Sequence, residues 1–127
     1  MDKEQHTIKD SWVQLALHDY KEGLGMFNER LPQLVDSFNR FTEECFKAGA
    51  LDQKSKQLLA LAISVFANDE YCIIYHTKGA LDQGASEAEI LESVGVAASL
   101  GGGAAMAQGV TLVQDALQEL GSPKNVH

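Results

Sequence analysis

"LDQKSKQLLALAISVFANDEYCIIYHTKGALDQGASEAE", residues 51–89, lacks the β-branched alternation of a strand and reads as two helices and the start of a third. Asp52 offers a carboxylate to cap a first helix that soon turns apolar on every side, the pattern of a helix buried on most sides. A second helix runs from about Asp69 to Gln83 and stops at Gly84. "SEAE" at 86–89 then sets Ser and Glu at capping-box spacing and opens a third helix over 86–100.

Upstream, "QLVDSFNRFTEECFKAG" (33–49) follows Pro32 and repeats Leu34, Phe38, Phe41 and Cys45 at helical spacing before a stop at Gly49. That repeat predicts a core stripe that includes Cys45. Residues 20–31 read as a polar approach to Pro32. "TIKDSWVQLALH" (7–18) sets Ile8, Trp12, Leu15 and Ala16 along one stripe, so the N-terminal helix within residues 1–20 must dock, with a neighbouring subunit as one candidate. Downstream, "LGGGAAMAQGVTLVQDALQELG" (100–121) is helical from about residue 103, although each helical glycine costs about 1 kcal/mol relative to Ala. Close helix packing, or a backbone wall beside a pocket, is the reason to keep them. The tail, 121–127, is expected to fray. The fold class expected is all-α, one helical domain over residues 1–127.

Eighteen acidic against 10 basic residues give a formal charge of -8. Nucleic acids and anionic membrane surfaces recruit clustered Lys and Arg, so neither is expected as a partner. The longest apolar run, "LLALAISVFA" (58–67), reaches half of the roughly 20 residues that a membrane span requires. The N-terminus lacks the apolar stretch of a leader, and the expected compartment is the cytoplasm. Two cysteines without framework spacing are expected to stay thiols there. "C-x-x-x-H" supplies two of the four ligands of a zinc site, so no metal and no cofactor are expected.

Within "EYCIIYH" (70–76), Cys72 and His76 lie four apart and share a helical face. A thiol in a first helical turn beside an imidazole can drop well below its ordinary pKa and become a nucleophile. The competing reading is packing, since free cysteine is among the most buried residue types. Asp69, one turn before Cys72, pushes the other way, because a nearby negative charge disfavours the thiolate. Tyr71 and Tyr75 flank the pair, Tyr71 read as packing and Tyr75 as pocket lining. Gln57, in an otherwise apolar helix, needs hydrogen-bond partners and can orient His76 without moving protons.

The apolar helix, the Cys and His four apart, "ALDQGASEAEI" and "GGGAA", in this order and spacing, resemble the carboxymuconolactone decarboxylase and alkyl hydroperoxidase D family over about residues 27–119. The resemblance implies an all-helical fold assembled as homo-oligomeric trimers or hexamers, with the site near subunit contacts. It also implies one of two activities: decarboxylation of a lactone, or peroxide reduction by a C-x-x-C pair backed by a Glu and His relay. Cys72 matches the peroxide-attacking second cysteine of that motif and His76 the histidine four residues on. The first cysteine falls on Asp69, the relay glutamate on Gln57 and a further relay histidine on Tyr71, so no local disulfide can close.

Three functions compete. The first is a thiol-dependent peroxidase of antioxidant type, with Cys72 as nucleophile, His76 as proton handler and an external thiol as resolving reductant. The second is a lyase on a small carboxylated lactone, with His76 as general acid or base and Cys72 as a wall. The third is a non-catalytic oligomer that has lost the relay.

Overall fold

The computed structural model describes the backbone of residues 2–121 and the side chains of residues 12–121. Helices α1 (Asp2–Arg30), α2 (Pro32–Phe46), α3 (Gln53–Phe66), α4 (Glu70–Asp82) and α5 (Glu87–Gln108) are followed by a π-helical turn (Gly109–Val113) and α6 (Gln114–Leu120). No strand occurs among the described residues. Ile8 of the N-terminal stripe and the tail beyond Gly121 lie outside the described side chains.

The central hairpin is set by local chemistry. Asp52 caps α3 by accepting from Ser55 N at 2.7 Å. After Phe66, Asn68 takes φ 58, and the amides of Asn68 and Asp69 return to the carbonyls of Val65 and Ser64, closing a Schellman turn on a residue type that tolerates left-handed backbone. Asp69 then caps α4 immediately, so Cys72 is locked one turn into that helix. Gly84, at φ 90, ends α4 in the same way. Ser86 and Glu89 complete the reciprocal capping box expected of α5.

α3 packs on α4 and α5 and forms the middle of the bundle. Leu61 and Val65 of α3, Ile73 and Ile74 of α4, Ile90 and Val94 of α5 and Val113 of the π-turn are buried together. Val13 joins them from α1, so this helix docks on its own chain, while Trp12 and Leu15 stay exposed.

Three sequence expectations need correction. Residues 20–30 continue α1 and do not form a polar approach; the helix breaks only at Leu31, where the following proline disfavours helical backbone. α3 is buried on one side and not on most: Leu61 is 0% exposed, whereas Leu59, Ile63 and Phe66 are each more than half exposed. Leu34, Phe41 and Cys45 of the α2 stripe also face outward, and Phe38, though more than half exposed, borders a cavity between α1, α2 and α4. The helix instead turns Val35, Asn39, Thr42 and Phe46 inward, at steps of 4, 3 and 4.

The glycines divide by cause. A Cβ on Gly109 would overlap Val94, so this one permits close helix packing. Gly102 adopts φ 71, ψ -151 and breaks the long helix near the expected start at residue 103, with open space around its missing Cβ. Its requirement is therefore purely conformational, and Gly102→Ala is expected to destabilise the fold by about 1–3 kcal/mol in urea titration. Gly103→Ala, with equal space and no positive φ, is expected to be neutral or mildly stabilising.

The stretch Glu87–Leu120 is long and apolar enough, by length and composition, to reach across a membrane. The Gly102 break divides it, and Ala97, Ala105, Leu112 and Val113 turn into the bundle. One face of it packs in the bundle, while Val96, Leu100 and Val110 stay exposed.

Candidate functional site

A cavity of about 200 Å³ lies between α1, α2 and α4. Cys72 and His76 open into it from α4, one turn apart, and Tyr71 and Tyr75 line it from the same helix. Of the two readings of Tyr71, packing and a relay position at the site, its place in the lining favours the site: wall residues 71, 72, 75 and 76 follow the helical repeat. α2 contributes Phe38, Asn39, Thr42 and Phe46 to the opposite wall. Of the stripe expected on α2 only Phe38 belongs to this wall, and the other three wall residues lie off that stripe. The spacing of Val35, Asn39, Thr42 and Phe46 is the signal that marks them, disguised by its two polar members.

His76 is held on three sides. Its ring stacks on Phe46 at 5.7 Å between centroids and 4° between planes, and meets Tyr75 edge-on at 5.4 Å. Nδ1 lies 2.9 Å from Gln57 Oε1. An amide oxygen can only accept, so Nδ1 carries the proton and Nε2 keeps its lone pair. Burial holds the imidazole below its ordinary pKa, and the ring is neutral at pH 7. Gln57 stands behind His76, outside the cavity lining, where the carboxamide orients the ring. A Cβ on Gly79 would overlap that carboxamide, so glycine there makes room for the contact.

Asp69 also lies outside the lining. Its Oδ1 accepts from Cys72 N at 3.2 Å, which gives this carboxylate a structural duty as the α4 cap. The same placement adds to the effect of burial on the thiol. Burial first, then the hydrogen bond and charge of Asp69, push the Cys72 thiol up to about 11, with a contact from Ser64 acting weakly in the opposite sense. Of the two opposing influences read from the sequence, activation by the helical turn and the imidazole does not prevail: burial and the cap carboxylate keep the thiol protonated at pH 7.

Cys45 is exposed on α2, its carbonyl receiving Lys56 Nζ at 2.9 Å. Among the described residues no three His, Cys, Asp or Glu side chains converge on a position for a metal ion. Neither arginine lines the cavity, and Arg40 pairs with Asp36 at 3.1 Å on the surface. Tyr20 is a further wall residue without a signal in the sequence; its ring lies 6.4 Å from Tyr71 and 6.1 Å from Tyr75.

Comparison with known proteins matches residues 32–115 to the carboxymuconolactone decarboxylase family model. An uncharacterised protein of the cox locus of Paracoccus denitrificans is 40% identical over 84 residues, 66% of this chain and 76% of that protein. Among solved structures, a carboxymuconolactone decarboxylase family protein from Legionella pneumophila aligns with a TM-score of 0.81 at 27% identity, over 86% of this chain and 97% of the other. A family protein from Thermotoga maritima, for which an involvement in antioxidative response is suggested, aligns at 0.73 and 25% identity, over 85% and 94% of the two chains.

Proposed function

The chain belongs to the carboxymuconolactone decarboxylase family, and on that premise we propose that it is a thiol-dependent reductase of small organic hydroperoxides, with Cys72 as nucleophile and His76 as its general base. The observation that carries this reading is that the thiol and a neutral imidazole, fixed in one tautomer, open into the same largely apolar cavity. With the thiol pushed up to about 11, the nucleophile is not stored as thiolate but generated when substrate is present.

His76 Nε2 takes the Cys72 proton, and Sγ attacks the outer peroxide oxygen. The O–O bond breaks, and the departing alkoxide recovers the proton from the imidazolium. The products are an alcohol and a sulfenic acid on Cys72. Asp69 occupies the place of a resolving cysteine, so an external thiol condenses with the sulfenic acid and releases water. A second thiol then frees Cys72 as the external disulfide leaves. A cytoplasmic compartment, which keeps such thiols reduced, suits this cycle. The lyase reading is the weaker one, since no Arg or Lys stands among the lining residues to receive a substrate carboxylate.

Steady consumption of n-butyl hydroperoxide with dithiothreitol as reductant tests the reading. Turnover above the uncatalysed rate supports it, and a folded protein that leaves the peroxide untouched overturns it.

The working form is a homo-oligomer, a trimer or hexamer, supported by the apolar side chains that α3 and α5 leave outside: Leu59, Ile63, Phe66, Val96 and Leu100. Ile63→Lys, which sets a charge in the middle of that face, is expected to shift the mass found by light scattering to that of one chain. An unchanged mass would remove α3 from the interface.

A further inference from the structure

α1 lies wholly outside the residues matched by the family model, yet it closes one side of the cavity. Ala16, Tyr20 and Leu24, each four apart, face the α4 wall, with Val13 anchoring the same helix in the core. Tyr20 meets the reactive wall: its ring is in tilted contact with those of both Tyr71 and Tyr75, which flank Cys72 in sequence and line the same cavity. All three rings remain 43–54% exposed, the signature of a rim and not of a core. The Tyr20 phenol is held above its ordinary pKa by burial and then by Cys72, Tyr75 and Asp69, consistent with its lying close to the thiol.

We propose that Tyr20 is a specificity-determining residue of this site: carried in by α1, its ring closes the cavity mouth above Cys72 and selects by size which molecules reach the thiol. The class admitted is slender and uncharged, and bulky aromatic molecules are turned away. The consequence for substrate choice rests on the peroxidase reading; the control of access to Cys72 does not.

The test measures access, not turnover. In a Cys45→Ala background, Cys72 is alkylated with iodoacetamide, which is small, and with N-(1-pyrenyl)maleimide, which is bulky. Both reagents need the thiolate, so the ratio of their rates cancels any change in the thiol's pKa. Tyr20→Ala is expected to raise the bulky-to-small ratio about tenfold, because it removes two ring contacts that hold the mouth closed. Tyr20→Phe, which keeps the ring, is expected to leave the ratio unchanged, and Tyr20→Trp to lower it. An unchanged ratio in Tyr20→Ala, or equal acceleration of both reagents as general loosening would produce, overturns the proposal. Failure of peroxide turnover with the ratio shifted as expected would instead remove the peroxidase reading and leave the gate.

Discussion

Cys72→Ala is expected to lower hydroperoxide reduction by on the order of 10³-fold or more, because a covalent cycle has no substitute for its nucleophile. The fold should survive, since the side chain lies at a cavity wall and is not part of the packed core. His76→Ala should cost about 10²–10⁴-fold, the range of a positioned general base. The pH profile separates their roles. His76 acts as a base only when neutral, and burial lowers its pKa, so activity should persist somewhat below pH 6.5 and fall with further acid. The thiol, pushed up to about 11, keeps gaining thiolate through the alkaline range, so uncatalysed alkylation of Cys72 should rise up to about that pH. The high pKa also bears on stability. The folded chain holds this proton more tightly than the unfolded chain, so the contribution is full below about pH 8.5 and is lost as pH rises toward 11. Rate assays across pH on wild type and both variants, with circular dichroism as the folding control, check these expectations.

The largest stability effect is expected at Leu61. This side chain is fully buried in the helix that packs on both α4 and α5. Leu61→Ala should cost about 2–5 kcal/mol, the transfer of the lost methyl groups plus the cavity they leave. Against a total stability of about 5–15 kcal/mol for a domain of ordinary size, that is a large fraction. Leu61→Met, which conserves volume, should cost less than about 1.5 kcal/mol. Urea midpoints at constant slope measure both. Gln57 and Ser64 stand on the same helix, one turn before and one turn after Leu61, so this packing also holds the groups behind His76 and Cys72.

What was legible in the sequence followed from local chemistry. Asp52, Asp69, Gly84 and the Ser86 and Glu89 box each act through atoms within a few residues, and the helix ends they imply lie where expected. The pairing of Gln57 with His76 could also be anticipated, because a polar side chain in an apolar helix demands a partner. The errors fell where apolar pattern was equated with burial inside one chain. α2 and α3 carry apolar residues on surfaces that this chain leaves open, and hydrophobicity alone does not distinguish a core from a contact with another subunit. Tyr20 escaped notice because its meeting with Tyr71 and Tyr75 is made by tertiary packing across some fifty residues. The thiol's pKa could not be read from the sequence because its largest cause, burial at the cavity wall, is set by tertiary packing.

The most direct measurement of the central claim is peptide mass spectrometry of the Cys45→Ala protein after treatment with tert-butyl hydroperoxide in the presence of dimedone, which traps sulfenic acid. A dimedone adduct is expected on Cys72, formed rapidly with His76 in place and slowly in His76→Ala. An unmodified Cys72 in folded protein, or trapping at a rate indifferent to His76, would contradict that claim.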